Sequence, residues 1–385
     1  MSNAGRKRTV RVRRAVQIAF FIFVFTIVFS HFVDRRGMDI PWPTVGNFHA
    51  ICPFGAVETA GRLVTEGSFI PKIHESNIWT FFGAAILTVL FGSLFCGWLC
   101  PLGSVQEWIG RIGKKLFKKR YNRFISEKAD RFLGYMRYGV LALILYFTTR
   151  TTTLVFQRFD PYYALFHFWM GDVFLTALAV FGLVIGLSFF FERPWCRWLC
   201  PFGALLGLLQ LVSPWKIRVK RKACSGCKAC EVVCPMRVPL HKKGAVLDTR
   251  CNRCLACVAS CRREGALEYS AGARGILPLP KRALTGALAV LIFALPIIIA
   301  SAAGYYNTSG NQNVRKGRLT AEEIKSSMSL QDIARGFGMD METLVTVLGL
   351  PEGVSSSTKL YDLEIIEESL TARSVRAKIE EHMGG

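Results

Sequence analysis

The chain alternates long apolar stretches with short, strongly basic connections. Five stretches approach the ~20 mostly apolar residues that a helix needs to cross a bilayer: residues 15–33, 77–96, 132–149, 172–191 and 283–303. Arg137 interrupts the third and Arg150 closes it. Residues 198–213 are apolar too but short, and read as a re-entrant or interfacial helix. Basic loops stay on the cytoplasmic side, so they decide the orientation. Arg6, Lys7, Arg8, Arg11, Arg13 and Arg14 precede the first stretch, and Arg111, Lys114, Lys115, Lys118, Lys119, Arg120 and Arg123 follow the second. Lys216, Arg218, Lys220, Arg221 and Lys222 follow the fourth. Five crossings keep all three groups inside and leave residues 34–76, 150–171 and the chain from residue 304 outside. The first stretch is too long for a signal peptide and lacks a small-residue cleavage site, so it reads as a retained span.

From residue 304 the pattern turns polar and slightly acidic, with short helical periods. Thr320-x-x-Glu323 has the form of a capping box. Residues 330–337 and 341–349 read as a helix pair around Gly336 and Gly338, and residues 360–382 as a further helix. Such a pair mimics a helix-turn-helix, but it has no basic face and lies on the outer side, which argues against nucleic acid. A small docking or capping domain fits better. Gly182 and Gly186 form a small-xxx-small pair suited to helix packing.

Composition agrees with the membrane reading. The 385 residues are 51% hydrophobic, yet carry a net charge of +22. With a mean hydropathy of +0.31, this fits a polytopic protein whose basic residues sit in loops. The expected fold is therefore mainly α: about five spans, a cytoplasmic two-cluster ferredoxin-like α+β insert and a small helical C-terminal domain. The expected divisions are residues 1–217, with four spans; 218–270, the insert; 271–303, the fifth span; and 304–385, the outer tail.

The chemistry lies in the cysteines, of which there are thirteen. Cys224-x2-Cys227-x2-Cys230-x3-Cys234-Pro235 is followed by Cys251-x2-Cys254-x2-Cys257-x3-Cys261, with Arg262 in place of the proline. A [4Fe–4S] cubane needs four thiolates, and this spacing supplies three from one tight loop and the fourth from the other block. One cluster is thus assigned to Cys224, Cys227, Cys230 and Cys261, the other to Cys251, Cys254, Cys257 and Cys234. Zinc also uses C-x2-C pairs, but leaves the third cysteine and the duplicated x3 step unexplained. Roughly residues 218–270 resemble a bacterial-type two-cluster ferredoxin module, whose thiolates are kept reduced in the cytoplasm.

A second repeat ends spans two and four. Cys96-Gly97-Trp98-Leu99-Cys100-Pro101-Leu102-Gly103 is echoed by Cys196-Arg197-Trp198-Leu199-Cys200-Pro201-Phe202-Gly203, and partly by Cys52-Pro53-Phe54-Gly55. It suggests two related halves about a pseudo-two-fold axis. Cysteines four apart share a helix face, and the proline tends to end or kink that helix. If both pairs converge, Cys96, Cys100, Cys196 and Cys200 hold a further redox or metal site. Cluster, Cu(I) and redox-thiol chemistry all suit them, while the bland alternative is buried apolar cysteines with Trp98 and Trp198 as interface anchors.

These motifs ahead of a two-cluster segment resemble the NapH/NosR-type membrane polyferredoxins over roughly residues 15–300. The family's C-x3-C-P elements match Cys96/Cys100/Pro101 and Cys196/Cys200/Pro201. The resemblance implies a multi-pass protein of the inner membrane, embedded in the lipid bilayer, passing electrons between quinone or quinol and redox partner subunits. It implies an electron-transfer subunit of quinol dehydrogenase type rather than a stand-alone enzyme. No large outer flavin domain is apparent, and the tail lies outside the pattern. Copper-handling assembly proteins share both motifs, so a cupric-reductase accessory role is the alternative.

Quinol chemistry releases protons with its electrons, so a proton-exchanging side chain is expected nearby. His31, His49, Arg158, Asp160 and His167, near Trp169, are candidates; His49, Cys52 and Glu58 alternatively suit a soft metal. Haem ligation is disfavoured by six histidines, none well inside a span. Nicotinamide and ATP chemistry are disfavoured by the lack of a glycine-rich fingerprint.

Overall fold

The computed structural model describes residues 3–35, 54–57, 77–151, 155–168, 173–240, 244–263, 265–272, 277–278, 282–303, 328–350 and 372–384, with isolated positions between 319 and 363. His49, Cys52, Glu58, Trp169 and the Thr320–Glu323 pattern lie outside these residues, as does the side chain of His31.

The architecture is mainly helical. Helix α1 (Asn3–Arg35) carries the basic start and the first apolar stretch, and α2 (Asn77–Phe91) the second. A π-helical turn, Phe95–Leu99, leads into α3 (Pro101–Phe117). Then come α4 (Glu127–Thr151), a 3-10 turn (Val155–Arg158) and α5 (Pro161–His167). Next are α6 (Leu175–Ser188), α7 (Pro194–Trp198) and α8 (Pro201–Leu209). After the cysteine-rich segment, α11 (Arg282–Ala302) returns along α2 and α1.

By length and apolar composition, only two of these helices are able to cross a membrane, at Val10–Ser30 and Thr285–Ala302. Five crossings are therefore not established. The second and fourth stretches form helices of 15 and 14 residues, about 22 Å at 1.5 Å per residue, short of a ~30 Å hydrocarbon layer. They end at Phe91 and Ser188, ahead of the cysteine motifs. The third stretch is a 25-residue helix, and Arg137 in it is turned inward, its Nη2 donating to Thr249 Oγ1 at 2.8 Å. Residues 198–213 contain only the nine-residue α8. Exposed large apolar side chains gather on five helices: Ile22 and Phe23 on α1, Ile86 on α2, Leu143 on α4, Leu183 on α6 and Leu291 on α11.

The cysteine-rich segment is held by a small antiparallel sheet. Strand β1 (Lys216–Val219) pairs with β2 (Leu267–Ala271) from Lys216↔Ser270 to Val219↔Leu267, and β2 pairs with β3 (Leu277–Pro278). One-turn helices α9 (Ala229–Val232) and α10 (Ala256–Ser260) pack together between β1 and β2. One apolar core runs through the helices and this segment, from Leu94, Trp98 and Leu206 to Ile217, Val246 and Leu255.

A second core joins α12 (Leu330–Phe337), α13 (Met341–Leu348) and α14 (Ala372–Gly384) through Leu330, Ile333, Leu344, Leu348, Val375 and Ile379. The helix pair occurs as expected, with Gly338 left-handed at the end of α12. Its capping box is formed by Ser329 and Asp332. Among the described residues nothing packs against the Gly182/Gly186 pair: a Cβ at either position meets no atom within 4 Å. Close approach occurs instead at Gly83 against the Phe293 carbonyl, and at Gly207, where a Cβ would lie 2.5 Å from the Thr249 carbonyl.

Candidate metal centres

The two cysteine blocks adopt the same turn. In each, the residue after the second cysteine is left-handed, Lys228 at φ 53° and Leu255 at φ 58°, and caps a one-turn helix bearing the third cysteine. Neither is a glycine, and such conformations cost free energy and cluster at functional sites. The turn places the first three cysteines of each block on one tight loop and the helical turn that follows it.

The fourth thiols cross over. Cys224, Cys227, Cys230 and Cys261 line a single pocket together with Lys228 and Arg263. Cys234 lies within electrostatic reach of Cys251 and Cys254, and Cys257 within reach of Cys254, Cys234 and Cys251. The two sets differ in depth: Cys251, Cys254 and Cys257 are buried, whereas Cys224, Cys230 and Cys261 are half-buried and Cys227 is exposed. The Cys251 set is thus the inner group of thiols, the candidate inner centre, and the Cys224 set the outer one.

The C-x3-C-P cysteines also converge. Cys96 lies within electrostatic reach of Cys100 and Cys196, and Cys200 within reach of Cys196, Cys96 and Cys100. Each proline begins a helix here rather than ending one. Cys100 and Cys200 are the N-cap residues of α3 and α8, with Pro101 and Pro201 in the first turn, where proline's fixed φ and missing N–H carry no penalty. In both motifs the second cysteine's N–H reaches five residues back, Cys100 to Phe95 O and Cys200 to Trp195 O. Gly203 N donates to Cys200 Sγ at 3.3 Å, and Gln106 Nε2 to Cys196 Sγ at 3.3 Å. The partial echo reaches this group as well: Phe54 packs edge-on against Phe202 and Phe156.

Both motifs grip the inner centre through the residues between their cysteines. Gly97 lies directly on the Asn252 carbonyl, where a Cβ would collide. Trp98, fully buried, donates from Nε1 to Arg253 O at 3.2 Å. From the other motif, Arg197 Nη1 reaches Pro235 O at 3.4 Å and Asn122 Oδ1 at 2.7 Å, and Arg197 pairs with Asp130 at 2.7 Å. Trp198 Nε1 donates to the same Asp130 at 2.8 Å. The tryptophans are therefore internal anchors, not interface anchors.

Sequence reading missed the polar network beneath these motifs. Glu107 pairs with Arg13, with Arg193 at 2.7 Å and with Arg111 at 3.2 Å. Burial pushes its carboxyl up, but Arg13 and Arg193 outweigh that and hold it down to about 2. Arg193 also donates to Cys96 O at 2.6 Å and lies within reach of both Cys196 and Cys254. The available signal was an arginine three residues before a cysteine at the end of an apolar stretch, because ionisable groups at membrane depth are functional candidates by default.

These surroundings fit anionic clusters. A cubane held by four thiolates is negatively charged, and buried positive charge needs a partner. Arg193, Arg197 and Arg253 are buried beside the cysteine groups, and among the described residues their Nε atoms have no hydrogen-bond partner. Among the same residues, no three His, Cys, Asp or Glu side chains close around a point as a single metal ion requires. One ion draws thiolates to about 2.3 Å, whereas a cubane spreads four around a larger core.

Of the proton-exchange candidates, Asp160 caps α5, accepting from Tyr162 N at 2.9 Å. Burial raises its carboxyl to about 7, against the N–H groups of Tyr162 and Tyr163. His167 is buried, its ring stacked 4.1 Å from Tyr163. Arg158 is exposed, its guanidinium over Phe174.

Residues 75–120 and 173–220 match a family model described as a 4Fe-4S binding domain, and residues 216–262 one described as a 4Fe-4S dicluster domain. The chain is similar to the putative electron transport protein YccM of Escherichia coli K12, 32% identical over 208 residues, 52% of this chain and 57% of that protein. It is similar to the uncharacterized protein MJ0750 of Methanocaldococcus jannaschii, 32% identical over 221 residues, 57% of this chain and 86% of that one. The ferredoxin-type protein NapH of Haemophilus influenzae is 30% identical over 238 residues, 57% of this chain and 78% of that one. No solved structure matches the chain.

Proposed function

Because the chain belongs to the NapH/NosR-type membrane polyferredoxins, we propose that it relays single electrons between the membrane quinone pool and a redox partner subunit. Iron–sulfur electron transfer is the shared ground of these proteins; the ligand sets, the order of centres and the quinone are our reading. Cys251, Cys254, Cys257 and Cys234 hold the inner cluster, and Cys224, Cys227, Cys230 and Cys261 the outer one. Cys96, Cys100, Cys196 and Cys200 hold a third. Bound, each cubane supplies a one-electron site.

The observation that carries this reading is the seating of Gly97, Trp98 and Arg197 on both sides of the inner cysteine set. It makes the C-x3-C-P group the neighbour of the inner centre, and the inner centre the neighbour of the outer one. Arg193 serves two centres at once and supplies the positive charge between them. Glu107 stays ionised and fixes Arg193 and Arg13 under the motifs. Asp160 is the group we assign to proton exchange with quinol, since its carboxyl changes charge near neutral pH. The exposed apolar side chains of α1, α2, α4, α6 and α11 face lipid, and the ferredoxin-like segment lies with Arg13 and α3 on the cytoplasmic side.

The test is reduction of the chain in lipid nanodiscs by a menaquinol analogue. Bleaching of the cluster absorption, slowed by Asp160→Asn and abolished by Cys96→Ser with Cys200→Ser, is expected. Unchanged bleaching in the double variant removes the C-x3-C-P group from the route.

A further inference from the structure

The outer centre has a distinctive surface. Cys227 is exposed, Lys228, Arg262 and Arg263 are exposed beside it, and Lys222 is exposed two residues before Cys224. Lys228 and Arg263 line the same pocket as the four thiols, and Arg262 lies within electrostatic reach of Cys227. Among the described residues, acidic groups offset little of this: Glu231 is half-buried, and Glu268 is taken by Lys220 at 2.9 Å. Val232, at the end of α9, is 61% exposed and gives the rim one apolar spot. The opposite end of the segment, Asn252 to Cys254, is covered by Gly97 and Trp98. A basic rim around an accessible redox group suits a weak, fast encounter: charge steers the partner, and a small apolar contact seats it.

We propose that this rim is the docking surface for a small acidic one-electron carrier protein, of flavin or iron–sulfur type, which exchanges electrons with the outer centre. The proposal rests on the relay reading for its redox step. In the forward direction the carrier is oxidised by one electron and the outer centre reduced by one; no bond forms or breaks and no proton moves. A bilayer surface fits less well, because the rim encircles the accessible thiol pocket at the end of the segment that the helices leave uncovered.

The probe is a reduced acidic flavodoxin, mixed by stopped flow with the full chain in nanodiscs, with basic cytochrome c as an acceptor of opposite charge. The expected second-order rate with flavodoxin falls steeply with ionic strength, and falls about tenfold or more in Lys222→Glu with Lys228→Glu and Arg262→Glu. The same variant should react faster with cytochrome c. Iron content, measured on both proteins, separates this test from the relay reading: iron-free wild-type chain would defeat the relay itself. With iron retained, flavodoxin rates indifferent to salt and to the substitutions overturn the proposal. So do rates that follow the charge of the nanodisc lipid instead of the substitutions, which assign the rim to the bilayer.

Discussion

Arg193 stands between the C-x3-C-P cysteines and the Cys251 set. Its guanidinium joins Glu107 and the Cys96 carbonyl and lies within reach of Cys196 and Cys254. Removing one partner of a buried pair leaves the other uncompensated, so Arg193→Gln should cost about 3 kcal/mol of stability. It should also lower the reduction potentials of the two neighbouring centres, because positive charge favours the more negative, reduced state. Arg193→Lys keeps the charge and should restore most of the potential; a redox titration that finds all three proteins alike reduces Arg193 to packing. Asp160 offers a separate test. Its folded value, about 7, stands above the ordinary 3.8. The fold therefore favours the protonated form: this contribution is complete below about pH 4 and is lost as pH rises through 7. Asp160→Asn keeps a good N-cap residue, so thermal melts from pH 4 to 8 should show a flatter slope for that variant.

At the scale of elements, the breaks matter more than the helices. The π-helical turn at Phe95–Leu99 and the short α7 bring two cysteine pairs together, and small residues set the approach. Gly97→Ala would drive a Cβ into the Asn252 backbone, which cannot yield as a side chain would. It should cost about 2 kcal/mol and weaken the magnetic interaction between the inner centre and its C-x3-C-P neighbour in EPR spectra. Gly182→Ala, with open space around it, should change neither. These elements also mark what the sequence made legible. The two ferredoxin cysteine blocks were legible from local spacing, which predicts one tight turn for three thiols in each block. The meeting of Cys96 and Cys100 with Cys196 and Cys200 was visible as a repeat. The lengths of α2 and α6 were not: hydropathy counts apolar residues and runs on through Gly92 and past Ser188, where the helices have ended. The docking roles of Trp98, Arg197 and Thr249 were invisible for a different reason, because their partners lie far along the chain.

At the scale of the whole molecule, the basic start, α3 and the cysteine-rich segment meet at one place. Arg13 bonds Gly97 O at 3.0 Å and pairs with Glu107, and α1 packs on α10. Segments far apart in the chain thus close around the inner centre, while the apolar faces of α1 and α11 remain uncovered. The central claim is that twelve cysteines form three groups of four, each holding a cubane in one relay. The most direct measurement is an EPR-monitored redox titration of the purified chain, with iron counted on the same sample. The account predicts about twelve iron atoms per chain and three one-electron components, one of them lost in Cys96→Ser with Cys200→Ser while the other two remain. A folded chain without iron contradicts it outright, and about eight iron atoms unaffected by that double substitution contradicts the third centre.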